Sequence, residues 1–121
     1  MDVIDLDEKL GHFSDHWSPR IIASLNDLHV KLAKVEGRFP WHKHEDTDEL
    51  FMVISGHLSI DLRIEGEQQA VEIDEGEIYV VPKGIEHAPH AIAETQILLL
   101  EPAGTVNTGD AEESGTSGVW I

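Results

Sequence analysis

A run of short β-strand patterns between Glu49 and Val81 is the sequence feature that most constrains the fold. From His57 to Ile64 polar and apolar residues alternate without exception, which indicates a half-buried strand. Apolar runs at residues 50–54 and 78–81 and the short segment 70–73 lie on either side, and polar, glycine or proline turns separate these segments. Many short strands separated by such turns predict an all-β sandwich or barrel.

The segments outside this region extend the prediction. Residues 5–14 place Leu6, Leu10 and Phe13 at helical spacing behind acidic residues, which predicts one short helix. Strands are expected over residues 20–25, 27–35 and 96–100. In the second of these, strict alternation predicts a buried face of Leu28, Val30 and Leu32, with His29, Lys31 and Lys34 near the opposite face.

We divide the chain into an N-terminal helix and lead-in strand (1–27), a barrel (28–102) and a C-terminal extension (103–121). The extension is rich in Gly, Ser and Thr but ends in the apolar Val119-Trp120-Ile121. Because such a cluster is costly to leave in water, we expect this extension to be partly ordered, with Trp120 packed on its own barrel or on a neighbouring copy.

Length and charge exclude several classes of function. The 121 residues suit a single domain, and a net charge of −16 disfavours nucleic acid and anionic membranes as partners. The chain has no cysteine, so any metal must be held by nitrogen and oxygen. No signal peptide or membrane span is evident, so the cytoplasm is the expected compartment.

Three histidines and one glutamate have the spacing of a metal site. His42 and His44 are two residues apart, so on an extended chain both rings point the same way. Glu49 follows a polar turn and opens the next strand, and His87 comes after a later turn. Four such ligands around one divalent ion leave two positions of an octahedron for a substrate or water.

These residues resemble the two motifs of the cupin superfamily. The first motif is matched by Gly37, His42-Lys43-His44, Glu49 and Gly56, and the second by Gly76, Pro82-Lys83-Gly84 and His87, with 19 residues between Gly56 and Gly76. Two departures are mild: Gly37 precedes His42 by one residue fewer than usual, and Ala91 replaces the final asparagine. Neither departure removes a ligand.

The resemblance implies a double-stranded β-helix, a jelly-roll-like barrel, with a single metal held by His42, His44, Glu49 and His87. The chain is similar to small single-domain bacterial cupins that carry a mannose-6-phosphate isomerase-like label. This resemblance also implies a homodimer. The ligand set suits Fe, Mn, Ni, Co or Zn and does not choose among them. We expect a metal-dependent oxygenase, isomerase or decarboxylase acting on a small organic molecule. The alternative is a non-catalytic module that binds or senses a small ligand.

Substrate-contacting residues are less sharply indicated. Phe51 is two residues after Glu49 and therefore lines the same face of its strand. Tyr79 could donate its phenol proton, although alternation does not fix its face. His90 could act at the pocket rim as an acid or base, or lie as an ordinary loop histidine. No residue is assigned a catalytic role.

Overall fold

The computed structural model describes residues 2–121 and is built almost entirely of β-strands. One short helix precedes eight strands, which are α1 (Leu6–Leu10), β1 (Arg20–Leu25), β2 (Leu28–Arg38), β3 (Glu49–Ser55), β4 (His57–Ile64), β5 (Glu67–Asp74), β6 (Ile78–Val81), β7 (Glu86–Pro102) and β8 (Val119–Trp120).

The long strand β7 organises the sheet. The strand order is β5-β4-β7-β2-β1-β8, and β3 pairs with both β6 and β7. The first part of β7 pairs with β4, its last part pairs with β3, and β2 runs antiparallel along much of its length. The prediction of an all-β double-stranded β-helix with a short N-terminal helix is confirmed, although the sheet does not close into a complete barrel.

The helix is shorter than the expected 5–14. It begins after Asp5, whose side chain accepts hydrogen bonds from the backbone N–H groups of Asp7 and Glu8, and it ends at Gly11. Its apolar side is still buried, because Leu10 and Phe13 pack with Ile22 and Leu32 on the outer face of the sheet. The predicted strand 96–100 is likewise part of a longer element, since β7 begins at Glu86.

The main core lies between the two halves of the folded sheet. Its fully buried members include Val35, Val53, Leu58, Ile60 and Leu62. These residues lie on β2, β3 and β4, and each strand contributes alternate residues to the interior, as the period of two requires. The core therefore forms the inner wall against which the polar site is built.

The prediction for β2 was wrong at Lys31. Expected near the polar face, this lysine has no exposed surface. Both faces of β2 are covered: Leu32 packs against the helix side, while Ala33 and Val35 belong to the main core. Lys31 shares its face with Ala33 and Val35, so it points into the interior.

Strand β6 is an edge strand that, within residues 2–121, pairs only with β3. Ile78 is 59% and Val80 is 42% exposed, whereas Val81 is buried and Tyr79 is half-buried. The apolar run 78–81 therefore has an outer face in contact with solvent.

The C-terminal extension folds back on its own sheet. Strand β8 pairs in parallel with β1, and the Trp120 ring lies edge-on to His29 with 5.3 Å between ring centroids. The backbone oxygen of Ile121 accepts a hydrogen bond from Lys9 Nζ at 3.0 Å. Trp120 is thus ordered on the same chain, with 56% of its surface exposed.

Among residues 2–121, no helix combines the length and the apolar character that a bilayer crossing requires.

Candidate metal centre

Backbone hydrogen bonds bring the two histidine-bearing segments together. The His42 N–H donates to the His87 oxygen at 3.0 Å, and the His87 N–H donates to the His42 oxygen at 2.8 Å. The Gly84 N–H donates to the His44 oxygen at 2.8 Å, which anchors the turn before His87 beside the first pair of histidines. Two sequence-distant segments are thereby held in fixed register.

Hydrogen bonds also orient two of the imidazole rings. His42 Nδ1 lies 2.8 Å from the Pro40 oxygen, and His87 Nδ1 lies 2.9 Å from the Ile85 oxygen. A carbonyl oxygen only accepts, so each Nδ1 must carry the proton, which leaves each Nε2 with a free lone pair. This is the usual way in which proteins orient a metal-binding histidine.

The four predicted ligands converge in the interior. One donor atom from each of His42, His44, Glu49 and His87 lies within 4.8 Å of the others, and all four side chains are buried. Glu49 Oε1 is 3.5 Å from His44 Nε2 and 3.4 Å from His87 Nε2.

Three of these buried atoms lack a hydrogen-bond partner: His44 Nε2, His87 Nε2 and Glu49 Oε1. Leaving a buried polar atom unpaired costs about 1–3 kcal/mol, so three at one point need an explanation. A divalent cation would satisfy all of them, because neutral imidazole nitrogen and carboxylate oxygen are suitable donors. The residues present therefore fit a metal ion.

The electrostatics of the cluster favour metal binding near neutral pH. Burial, followed by the proximity of His87, lowers the pKa of His42 to about 4, so its ring is neutral. Burial alone would raise the pKa of Glu49, but interactions with His44 and His87 outweigh burial and hold that pKa below its usual value. Glu49 is therefore an anion beside a neutral imidazole, and neither must lose a proton to bind a cation.

Sequence reasoning missed two buried charged residues behind Glu49. Glu101 is 1% exposed, and its Oε1 accepts a hydrogen bond from Lys31 Nζ at 2.9 Å. Burial and then the neighbouring negative charge of Glu49 raise the pKa of Glu101 to about 9, in spite of Lys31. The available signal was the period of β2 and β7, which places Lys31 with Ala33 and Glu101 with Leu99.

A small apolar cavity adjoins the cluster. Its volume is about 30 Å³, and it reaches His42 and Glu49. Aromatic and aliphatic side chains form most of its wall, including Trp17, Ala33, Val35, Phe39, Phe51 and Leu99. One probe sphere of water needs about 10–15 Å³, so this space suits a very small molecule.

The C-terminal extension covers the metal-ligand segment. The Lys43 N–H donates to Asp110 Oδ1 at 2.7 Å, and the Asp110 N–H donates to the Lys43 oxygen at 3.2 Å. Asn107 lines the cavity and donates through Nδ2 to the Trp17 oxygen at 3.1 Å. Asn107 therefore forms part of the cavity wall, and Asp110 ties the extension to the backbone of Lys43, between the ligands His42 and His44.

The structure separates the three predicted substrate-contacting residues. Phe51 is 4% exposed and lines the cavity. Tyr79 lies opposite Phe51 in the pairing of β3 with β6 and packs against the core from the side. His90 lies elsewhere on β7, where its Nε2 is 3.3 Å from Asp61 Oδ1. Neither Tyr79 nor His90 lines the 30 Å³ cavity.

A family model agrees with this geometry. The cupin domain model (Cupin_2) matches residues 28–101. The chain belongs to the cupin family. A cupin-2 domain containing protein from Shewanella frigidimarina NCIMB 400 has a similar solved structure, with a TM-score of 0.78 and 49% identity, covering 83% of this cupin and 94% of that chain.

Two curated relatives are also similar to this cupin. The uncharacterized protein YdbB of Bacillus subtilis (strain 168) is 32% identical over 97 residues, which cover 80% of this chain and 77% of YdbB. The 3-hydroxyanthranilate 3,4-dioxygenase of Bacillus cereus (strain ATCC 10987 / NRS 248) is 30% identical over 70 residues, which cover 57% of this chain and only 38% of that enzyme. The mannose-6-phosphate isomerase-like label stays a prediction.

Proposed function

We propose that this cupin is a metal-dependent enzyme of the dioxygenase type that acts on a small organic molecule. One divalent transition metal, Fe, Mn, Ni, Co or Zn, would be held by His42, His44, Glu49 and His87. The observation that carries the proposal is the convergence of buried donor atoms, three of them without a hydrogen-bond partner. A bound ion would act as a Lewis acid that coordinates and polarises substrate oxygens.

Among oxygenase, isomerase and decarboxylase chemistry, the relatives favour the first. The likeness to 3-hydroxyanthranilate 3,4-dioxygenase extends over 70 residues at 30% identity. Fe is therefore the metal to test first, because N/O ligand sets with open positions are typical of non-haem Fe(II) oxygenases.

The cavity volume supports a small ligand, and it limits the size of substrate that could enter without a movement of the wall. A cavity of about 150 Å³ is large enough for a benzene molecule, whereas the space here is about 30 Å³. An aromatic substrate would therefore require the wall to move, and we propose that the segment around Asn107 moves, because Asn107 lines the cavity and is tied to the Trp17 oxygen by a side-chain hydrogen bond. We propose Phe51 as an apolar substrate contact, with Tyr79 and His90 as candidates on the periphery.

Metal analysis followed by an oxygen-consumption assay tests this proposal. Protein purified without an affinity tag is loaded with Fe(II) or Mn(II) and supplied with a panel of phenols, aminophenols, diketones and amino acids. We expect stoichiometric metal and substrate-dependent oxygen uptake, both lost in Glu49→Ala and retained in the surface control Glu86→Gln. A protein that binds no divalent metal would refute the proposal.

The second candidate function is non-catalytic binding or sensing of a small ligand. It is favoured by the wall of the cavity, in which His42 and Glu49 are the only titratable side chains, so no separate general acid or base is at hand. Tight ligand binding by calorimetry, without turnover under any of the metals, would favour this function over the enzyme.

We also propose a homodimer in the cytoplasm. The exposed Ile78 and Val80 on edge strand β6 support self-association, because unpaired apolar edges tend to pair. Light scattering after size exclusion tests it: a monomeric mass at micromolar concentration would exclude a stable dimer.

A further inference from the structure

Lys31 is an unusual residue for the interior of a small domain. Among the described residues 2–121 it is the only lysine or arginine that is fully buried. Lys31 Nζ contacts Glu101 Oε1 at 2.9 Å and the backbone oxygen of Thr105 at 3.2 Å. Both members of the pair are inaccessible, with no exposed side-chain surface on either.

The strand register places Glu101 beside the proposed metal ligand Glu49. Leu50 of β3 pairs with Leu100 of β7, so Glu49 and Glu101 follow as neighbours across the two antiparallel strands. Both side chains face the interior, because Phe51 and Leu99, each two residues away, line the cavity. Lys31 on β2, Glu101 on β7 and Glu49 on β3 therefore form a buried row across three paired strands, and Glu49 lies beside His44 and His87.

Stability of the fold does not explain this row. Burying the Lys31 ammonium against a carboxyl whose own pKa is raised costs desolvation energy that one contact does not fully recover, and apolar replacements of such buried ionisable pairs are commonly neutral or stabilising. The second carboxyl oxygen of Glu101 is also buried and has no close hydrogen-bond partner. A pair that costs stability, placed directly behind a metal-binding carboxylate, is better explained by its effect on that carboxylate.

We propose that Lys31 and Glu101 are positioning residues that orient Glu49 toward the metal. Glu101 restricts the Glu49 carboxylate from behind, and Lys31, anchored to the Thr105 carbonyl, holds Glu101 in place. The inference rests on the proposed metal site and deepens it. In known metal proteins, removing such outer partners of a ligand lowers metal affinity about 10- to 100-fold.

The test measures metal affinity with Co²⁺ as the probe, by competition with a chelator, together with the visible absorption spectrum of the bound ion. We expect Glu101→Leu and Lys31→Met to weaken Co²⁺ binding about 10- to 100-fold and to alter the spectrum. Glu101→Gln should stay within about threefold of wild type, because its amide oxygen can accept from Lys31 Nζ and its amide group keeps the size and position of the carboxyl beside Glu49.

Two further variants separate a positioning role from a general loss of fold stability. The double variant Lys31→Met/Glu101→Leu should regain the melting temperature of the wild type yet bind Co²⁺ as weakly as the single variants. Leu58→Ala, which removes a core side chain from β4, should lower the melting temperature but leave the spectrum unchanged.

The outcomes are distinct. If wild type binds no Co²⁺, the proposed metal site fails. If wild type binds and both Glu101→Leu and Lys31→Met bind within twofold of it, the positioning role fails. Weakening in Leu58→Ala as large as in Glu101→Leu, with the same spectral change, would also overturn the positioning role.

Discussion

Replacing His42 by asparagine should make the metal-free protein less sensitive to acid. The ring is 3% exposed, and burial together with nearby His87 lowers its pKa from 6.5 to about 4. Asparagine does not titrate in this range, and its amide nitrogen can still donate to the Pro40 oxygen that His42 Nδ1 contacts. The substitution therefore removes the proton-binding group while keeping the local hydrogen bond.

The direction in which the unfolding free energy changes with pH follows from proton binding. Between pH 6.5 and about 4 the unfolded chain holds a proton on His42 that the native state excludes, so stability falls as the pH falls. At about 1.4 kcal/mol per pKa unit, this residue costs wild type ~2 kcal/mol by about pH 5 and ~3 kcal/mol below pH 4. Above pH 6.5 the contribution vanishes, since neither state binds the proton.

Urea unfolding of chelator-treated protein, followed by circular dichroism between about pH 4.5 and 7.5, measures this difference. Glu49 and Glu101 also titrate differently in the native state, but they are present in both proteins, so the comparison of wild type with His42→Asn isolates the histidine. We expect the stability of wild type to fall about 2 kcal/mol more than that of the variant by pH 5. Parallel pH profiles would refute the reasoning.

Three other substitutions test the fold and the wall of the site. Gly56→Ala should cost about 3 kcal/mol or more of unfolding free energy, because φ is +99° and a Cβ would lie 2.5 Å from Thr95 Oγ1; a melting temperature equal to that of wild type would contradict this. Gly109 has φ +53°, and a Cβ at this position would press against the Lys43 carbonyl oxygen, so Gly109→Ala should displace residues 107–110 and speed amide hydrogen exchange there more than elsewhere. Unchanged amide exchange would show that the segment does not depend on this contact. Leu62→Ala, fully buried in the main core, should cost about 3 kcal/mol in urea unfolding, and a loss under about 1 kcal/mol would mean that the core collapses around the gap.

Several elements were predictable because their patterns are local. The alternation in His57–Ile64 and the glycine turns predicted β4 and its neighbours, since a period of two buries one face in almost any sheet. The helix was placed correctly but made too long, because Gly11 ends it after five residues. The length of β7 was underestimated, since Ala88-Pro89-His90 resembles a loop until its pairing with β4 is known.

The error at Lys31 and the exposure of Val80 have a common physical origin. Strand alternation tells which residues share a face, but it does not tell what covers that face. In β2 both faces are covered, so Lys31 is buried, whereas in β6 the outer face is open, so Val80 is 42% exposed. Burial of a strand face depends on packing partners that come from distant parts of the chain.

The sequence by itself determined the ligand types, their order and the strand periods, which is why the cluster of His42, His44, Glu49 and His87 could be predicted. Tertiary structure alone decided what stands behind and around that cluster. The pairing of β3 with β7 sets Glu101 beside Glu49, and the return of the C-terminal segment sets Asp110 against Lys43. These contacts join residues more than 50 positions apart, and their register is fixed by the folding of the whole sheet rather than by any local pattern.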